Sequence, residues 1–187
     1  MTRKHEKLLV VDVEATCWEK DLVGSNVSEI IEIGICQLDF SSLEVERKGQ
    51  ILVLPIHSQI SEFCTKLTGW TEKEIGEKGI DFHSACHKLE KEWGSRDTIW
   101  MSFGDYDRII FQNQCAREAI PYPFDRTHVN IKNLLCLVTG NPYESGTQGA
   151  MNKLGLKFEG KQHIGMDESY NIAIMLQTVL RPFRELF

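Results

Sequence analysis

Two acidic residues interrupt the most apolar segment of the chain. The stretch VVDVEATCWE, residues 10–19, carries Asp12 and Glu14 inside a run that is typical of a buried strand. Side chains two residues apart in a strand point to the same face of a sheet. Carboxylates are rarely buried unless they are paired or bind a cation, and oxygen ligands suit Mg²⁺ or Mn²⁺. The pair therefore indicates either a metal site or a strand at a sheet edge whose polar face is in water.

Two further segments carry groups suited to the same chemistry. Asp107 follows a predicted strand over residues 97–103, where an acid could be functional or could simply stabilise the first turn of a helix. His163 precedes Asp167 and Glu168 in QHIGMDESYNIA, and a histidine beside clustered carboxylates is a candidate general base. Four acidic positions and one histidine make a hydrolytic site with two metal ions about 3.5–4 Å apart possible, acting on a phosphodiester.

The composition is that of a globular protein. The chain has 187 residues, of which 42% are hydrophobic, and this predicts a single domain over residues 1–187 with a loose tail at 1–7. No apolar stretch approaches the roughly 18 residues of a membrane span, and no signal peptide is evident, so we expect a cytoplasmic protein without a membrane partner. The net charge of −6 argues against a long contact with duplex nucleic acid, but it permits an enzyme that holds one strand end.

The cysteines carry no metal-binding pattern. Six are scattered along the chain without a CxxC pair, so reduced thiols are expected and a zinc site is not.

The order of predicted elements indicates an α/β sandwich with a mixed sheet. Strands are predicted at 8–15, 28–39, 45–55 and 97–103. Helices are predicted over 58–75 with a break at Gly69, over 81–94, from about Asp107, over 127–140, over 149–155 and from 167 to 180, before Pro182. In SEIIEIGICQLD, isoleucines alternate with other residues as in a strand with one face toward the core. Glu29 and Glu32 are therefore expected to be structural rather than catalytic.

Six segments taken together resemble a known family. They are VVDVEATCWE, SEIIEIGICQLD, ISEFCTKLTGWTEKEI, SFGDYDRIIFQNQC, NIKNLL and LGLKFEGKQHIGMDESYNIA, in this order over residues 8–176. With them the chain resembles the DEDDh 3′–5′ exonucleases, and more closely the enhancer-of-RNA-interference exoribonuclease branch, including its bacterial members. The resemblance implies a ribonuclease H-like three-layer α/β/α sandwich with a mixed, mainly five-stranded sheet.

The resemblance also implies roles for individual residues. Asp12, Glu14 and Asp107 match metal ligands for two divalent cations, Mg²⁺ or Mn²⁺, and His163 matches the general base. Asp107 is preferred to Asp105 because the family's aspartate follows the aromatic residue of this motif.

One position departs from the family pattern. The family's last aspartate lies five residues after the histidine, where this chain has Glu168, preceded by Asp167. The additional methylene displaces the carboxylate by about 1–1.5 Å. Three outcomes are open: Glu168 reaches the metal, Asp167 replaces it after a small helix shift, or activity is impaired. The third outcome would leave a nucleic-acid-binding or regulatory protein.

The implied substrate is the 3′ end of single-stranded RNA, or of DNA, with release of 5′-mononucleotides. A DNA-preferring enzyme and a hydrolase of small nucleotides remain alternatives, and no protein partner is indicated. A terminal base needs a stacking surface, which contributes about 1–3 kcal/mol per base. The candidate substrate-binding residues are Ala15, Thr16, Cys17, Trp18, Phe63, Leu67 and Trp70.

Overall fold

The computed structural model describes residues 6–19, 27–140 and 146–184. Its elements, in chain order, are β1 (Lys7–Ala15), β2 (Ile30–Asp39), β3 (Val45–Leu52), α1 (Glu62–Thr68), α2 (Glu72–Lys78), α3 (Phe82–Trp93), β4 (Ile99–Ser102), α4 (Tyr106–Arg117), β5 (His128–Asn130), α5 (Ile131–Thr139), α6 (Thr147–Lys153) and α7 (Gly165–Arg184).

The strands form one mixed sheet in the order β3-β2-β1-β4-β5. β1 and β2, and β2 and β3, pair antiparallel, whereas β4 pairs parallel with both β1 and β5. One face of the sheet packs against α3 and α4, and the other packs against α5, α6 and α7. The predicted three-layer α/β/α sandwich with a five-stranded mixed sheet is confirmed.

β1 is a central strand with two buried faces. Leu9 and Val11 belong to the cluster beneath α3 and α4, whereas Leu8 and Val10 belong to the cluster beneath α7. Continuing this alternation places Asp12 and Glu14 together on the α7 side, as their spacing predicts. Because β1 is the third of five strands, the alternative of an edge strand with its polar face in water is wrong.

Some sequence expectations need correction. β2 is buried on both faces rather than one, because β1 and β3 flank it and helices cover both sides. The predicted helix over 127–140 begins instead with the short strand β5, whose three residues are too few to give a pattern. α7 continues past its predicted end and includes Pro182 in its last turn.

The tail predicted over residues 1–7 overlaps the first strand by one residue, because β1 begins at Lys7. Residues 1–5 of that tail lie outside the described residues.

Two glycines allow α7 to contact the sheet directly. A Cβ atom at Gly34 of β2 would lie 1.8 Å from the carbonyl carbon of Gly165, the first residue of α7. A Cβ atom at Gly165 would lie 2.9 Å from the Gly34 nitrogen and 3.0 Å from the carbonyl oxygen of Asp12. Backbone-to-backbone contact at this point brings the N-terminus of α7 onto the strand that carries Asp12.

Replacing Gly34 by alanine is therefore expected to destabilise the protein severely. The methyl group meets backbone atoms that cannot rotate away, so we expect the melting temperature to fall by about 6 °C or more, which corresponds to roughly 3 kcal/mol in a chain of this size. Gly76→Ala is the matched control, because this exposed glycine lies inside α2 with nothing within 4 Å of an added Cβ. It should raise stability by about 0.5–1 kcal/mol. Equal melting temperatures for the two variants would contradict this account of the contact.

Candidate active site

The site forms where β1 extends beyond its parallel neighbour. The register between β1 and β4 ends at Val10 opposite Met101, and β4 itself ends at Ser102. The Val13 N–H, which lies beyond this ladder, donates to Oδ1 of Asp107 at 2.9 Å. A buried backbone donor needs an acceptor, and Asp107 in the first turn of α4 supplies it. This bond places the Asp107 carboxylate beside the backbone between Asp12 and Glu14.

A cleft of about 290 Å³ opens at this end of β1. Its described lining brings together five of the predicted residues, which come from β1, α4, the segment before α7, and α7 itself. The complete lining is Asp12, Val13, Glu14, Phe103, Tyr106, Asp107, Gly146, Thr147, His163 and Glu168. Among these lining residues there is no lysine or arginine to balance the four carboxylates.

His163 faces the carboxylates from a constrained backbone position. Its φ of 59° lies in the left-handed region, and its N–H donates to Oε1 of Glu168 at 3.3 Å. Nδ1 of the ring lies 3.9 Å from Oε1 of Glu14, and 48% of the side chain is exposed. The imidazole is thus both open to solvent and directed at the carboxyl group of Glu14.

The two neighbouring acids at the start of α7 point to different places. Glu168 lines the cleft and is only 8% exposed, and its Oε2 is buried without a hydrogen-bond partner. The Asp167 carboxylate instead accepts from the Lys161 N–H at 2.9 Å and lies against Gly160, where an added Cβ would be 2.4 Å away. Asp167 therefore holds the loop that leads to His163 and is not part of the described cleft lining.

The carboxylates of the cleft repel one another in the absence of a cation. Burial, followed by the charges of Asp107, Glu168 and Glu14, raises the pKa of Asp12 well above its ordinary value. Burial is also the main cause that raises the pKa of Glu14 to about 8 and that of Asp107 to about 6, although the Val13 N–H partly opposes it at Asp107.

These features fit a divalent metal. A buried carboxylate oxygen without a partner, on Glu168, faces a set of oxygen donors that lacks a counter-charge. Oxygen donors of this kind suit Mg²⁺ or Mn²⁺. No three of the cleft carboxylates bring ligand atoms within 4.8 Å of one another. This spread is compatible with Mg²⁺, because Mg²⁺ usually keeps several waters and takes only one or two carboxylates.

A second acidic group has a different character. Ligand atoms of Glu29, His57 and Glu118 lie within 4.8 Å of one another. However, Nη2 of Arg117 lies 3.8 Å from Glu29 and 3.6 Å from Glu118. Glu29 also accepts hydrogen bonds from the Ile56 N–H, the His57 N–H and the Ser58 hydroxyl. This group is an ion-paired anchor for the loop after β3 rather than a metal centre.

The predicted substrate-binding residues fall into two sets. Phe63 and Leu67 on α1 are 37% and 36% exposed, and Phe63 shares a second pocket of about 290 Å³ with Trp18 and Lys66. Cys17 is half-buried, and its carbonyl accepts from the hydroxyl of Ser61, which lines the same pocket as Phe63.

The remaining predicted residues face inward. Ala15 and Thr16 are buried, and the Thr16 hydroxyl accepts from the Glu29 N–H. Trp70 is half-buried and donates its indole N–H to Glu32 at 2.5 Å.

The sequence arguments missed several residues of the cleft. Tyr106 lines it and is 55% exposed, and Val13, Phe103, Gly146 and Thr147 complete the lining. A signal for Tyr106 was present, because it is the aromatic residue of GDYD directly before Asp107. Gly146 and Thr147 lie in a segment without a chemical pattern, so nothing in the sequence marks them as residues of a site.

Chelated protein is expected to lose stability as the pH rises. Glu14 and Asp107 have higher pKa values in the folded than in the unfolded chain, so the folded state binds protons more tightly. Their contribution to the free energy of unfolding is therefore complete below about pH 4 and is lost as the pH rises to about 8. Carboxylates whose pKa is lowered, such as Asp39 and Asp81, act below this window. Burial lowers the pKa of His128 to about 4, which opposes the trend below about pH 6.5, but this shift is smaller than the rise at Glu14. In EDTA we therefore expect a lower melting temperature at pH 8.5 than at pH 5.5, measured by scanning calorimetry.

Adding Mn²⁺ should reverse this loss. At about 100 times its dissociation constant the ion should raise the melting temperature at pH 8.5 by roughly 5–10 °C, and by much less at pH 5.5, where protons compete for the ligands. An equal increase at both pH values would contradict a site built from these carboxylates.

Known proteins share both the sequence and the fold. The exonuclease family model (RNase_T) matches residues 9–176. The 3′-5′ exoribonuclease 1 proteins of rat and human are each 32% identical over 196 residues, covering 97% of this chain but 55% and 54% of their own lengths. This chain thus spans about half the length of those relatives.

Solved structures agree with this assignment. The nuclease domain of 3′hExo, a DEDDh family member bound to rAMP, superposes with a TM-score of 0.86 at 28% identity, over 97% of this chain and 94% of that one. Exonuclease I, at 15% identity and a TM-score of 0.75, shares the fold over 96% of this chain and 42% of its own. Within the described residues, no helix is both long and apolar enough to cross a membrane. The DEDDh exonucleases are metal-dependent, and this chain belongs to the exonuclease family.

Proposed function

We propose that this protein is a metal-dependent 3′–5′ exonuclease that releases 5′-mononucleotides from the 3′ end of single-stranded RNA. The observation that carries the proposal is the cleft in which Asp12, Glu14, Asp107 and Glu168 converge on His163. These groups come from separate parts of the chain. The fold that brings them together is shared with the 3′hExo nuclease domain, whose structure contains bound rAMP.

We assign the metal sites to these carboxylates. Asp12 and Glu168 would hold the first of two ions, Mg²⁺ or Mn²⁺. Asp12, Glu14 and Asp107 would surround the second, with one or two of them as direct ligands and the rest acting through metal-bound water. The buried, unpartnered Oε2 of Glu168 supports its place in this set, and the engagement of Asp167 with Lys161 argues against the other candidate. When bound, the ions stabilise charge at the scissile phosphate and lower the pKa of the attacking water.

His163 is the proposed general base. Because its Nδ1 faces Glu14, the other ring nitrogen, Nε2, is the one we assign to take the proton from the attacking water. Glu14 then stabilises the protonated ring, and the bond from the His163 N–H to Glu168 holds the loop against α7. The distance of 3.9 Å is loose, as is common for catalytic contacts in the absence of substrate.

The substrate assignment rests on similarity and on exposed aromatic rings. Relatives that cover 97% of this chain are exoribonucleases by name, and the 3′hExo nuclease domain binds rAMP. Tyr106 in the cleft is exposed, as is Phe63 on α1, and Trp18 shares a pocket with Phe63. These rings can stack on bases without reading their sequence.

Degradation of matched 20-mers of RNA and DNA tests the function. Each oligonucleotide carries a 5′ label and either a free or a blocked 3′ end, and is incubated with Mn²⁺, Mg²⁺ or EDTA. We expect metal-dependent shortening from the free 3′ end, one nucleotide at a time, faster for RNA. Internal cleavage products, or equal rates with a blocked 3′ end, would overturn the proposal, and faster loss of DNA would change only the substrate.

Two further experiments test the remaining alternatives. The Glu168→Asp variant tests a nucleic-acid-binding protein without activity, and a dinucleotide substrate tests a hydrolase of small nucleotides. A nucleic-acid-binding protein with a degraded site would bind the RNA without turnover, and Glu168→Asp would then restore or raise the rate. A hydrolase of small nucleotides would prefer a 2-mer to the 20-mer.

A further inference from the structure

Glu32 is a fully buried carboxylate outside the cleft lining, with a relative exposure of 0%. Oε2 accepts from the Trp70 indole N–H at 2.5 Å. Oε1 accepts from Nε2 of Gln50 at 2.6 Å and from the Met166 N–H at 3.3 Å. All three partners are donors, and a carboxylate can accept from all of them without conflict. Burying such a group is costly, so its placement calls for a reason beyond the pairing of β2.

The three donors belong to three different parts of the molecule. Gln50 lies in β3, and Trp70 lies in the turn between α1 and α2. Met166 is in the first turn of α7, between His163 and Glu168. Glu32 also lies directly opposite Glu14 in the register of β1 and β2. One carboxylate therefore connects the sheet beneath the cleft to two other parts of the molecule. One is the α1–α2 wall, residues 62–78, which carries Phe63, and the other is the first turn of α7, which carries Glu168.

Contact geometry makes this connection tight. The first residue of α7, Gly165, lies over Gly34, and a Cβ on Gly165 would be 3.3 Å from Oε1 of Glu32. The bond from Met166 to Glu32 thus fixes the first turn of α7 at the point where backbone meets backbone. A shift of about 1 Å at a catalytic group can lower the rate around a hundredfold, so loss of this bond is expected to lower the rate by displacing Glu168.

We propose that Glu32 is a positioning residue for the active site. It holds the first turn of α7 in place through Met166, and the α1–α2 wall through Trp70. The first link acts on the rate of the chemical step, and the second acts on substrate binding. The inference rests on the nuclease function proposed above.

Glu32→Gln separates the first link from general stability. We expect the amide oxygen to face Trp70, because that bond is the shortest of the three, and the new NH₂ group then donates to Gln50 after the Gln50 amide turns over. Only the Met166 N–H then loses its acceptor. We expect a folded protein whose kcat on the RNA 20-mer falls about 10- to 100-fold, with KM within about twofold of the original value. Amide hydrogen exchange at Met166 should become faster, which reports the lost bond without any use of activity.

Glu29→Gln is the matched control. Glu29 lies in the same SEIIEIG segment, is also 0% exposed and also accepts from three donors. Its donors lie at residues 56–58 and its ion-pair partner is Arg117 at the end of α4, so none of them belongs to α7. This variant should lower the melting temperature at least as much and leave kcat and KM unchanged. Trp70→Phe tests the second link, because it keeps the ring and removes the N–H. It should raise KM several-fold with little change in kcat, and it keeps the proposal testable if Glu32→Gln does not fold.

The outcomes are distinguishable. If wild-type protein shows no metal-dependent turnover, the proposed function fails, and Met166 exchange still tests the contact. If wild-type protein is active and Glu32→Gln has unchanged kcat, or if Glu29→Gln loses kcat equally, the positioning role of Glu32 is wrong. An unchanged KM in Trp70→Phe would show that the bond from Trp70 to Glu32 does not affect substrate binding.

Discussion

Replacing His163 by asparagine is expected to lower the rate of mononucleotide release by about 10²- to 10⁴-fold, the range typical of a lost general base. The loss should fall on kcat, because the carboxylates that we assign to the metals remain in place. Asparagine is preferred to alanine here because residue 163 has a φ of 59°, a conformation that asparagine adopts more readily than most residues. Single-turnover cleavage of the labelled RNA 20-mer with saturating Mn²⁺ measures the effect.

His83→Asn is the control for this prediction. His83 is an exposed histidine on α3 and does not line the cleft, so its replacement should leave the rate unchanged. The Mn²⁺-induced rise in melting temperature should persist in both variants. If His163→Asn retains the full rate, the general base is another group. If it loses the rise in melting temperature, His163 contributes to metal binding instead.

Asp12→Asn is expected to change activity and stability in opposite directions. Asp12 is the carboxylate that we assign to both metal ions, and metal-assisted stabilisation of the reacting phosphate contributes several kcal/mol, so activity should fall at least about 10³-fold. The same change removes a charge that burial and the carboxylates around it already disfavour. Chelated Asp12→Asn should therefore melt about 2–4 °C higher than chelated wild-type protein at pH 8.5, the shift for roughly 1 kcal/mol in a chain of this size.

Asp105→Asn provides the matched comparison. Asp105 lies two residues before Asp107, but its carboxylate accepts from Arg108 at 2.8 Å and from Asn130 at 3.0 Å, outside the cleft. Its neutralisation removes a favourable ion pair, so the melting temperature should fall slightly while activity stays close to the wild-type rate. A lower melting temperature for chelated Asp12→Asn would show that the cleft charges are not a source of instability.

Local patterns predicted much of the fold. The pairing of β1 with its neighbours is not visible in the sequence, but four of the five strands are predicted from it, two of them, β1 and β2, from runs of apolar residues. The short strand β5 is not predicted, because three residues carry no period. The extension of α7 through Pro182 is not predicted either, because a proline usually ends a helix, whereas here it removes one backbone N–H donor only two residues before the helix ends. The burial of both faces of β2 depends on the helices that pack there, which no local pattern encodes.

For the site, resemblance and residue type selected the acids and the histidine, and the fold placed five of them in one cleft. Tyr106 was passed over because the aromatic residue served only to choose Asp107 from Asp105. The alternation of Glu32 with isoleucines predicts a strand but not the burial of both its faces. It also cannot show that the Glu32 carboxylate accepts from residues 50, 70 and 166.

The sequence by itself determined that Asp12 and Glu14 share a face, because the two-residue period of a strand is a local property of the backbone. Only the tertiary structure decided that Glu168, and not Asp167, lines the cleft. The reason is that the rotation of α7 about its axis is set by distant contacts. Gly165 packs on Gly34, more than a hundred residues away, and the Asp167 carboxylate is retained by the backbone of the preceding loop.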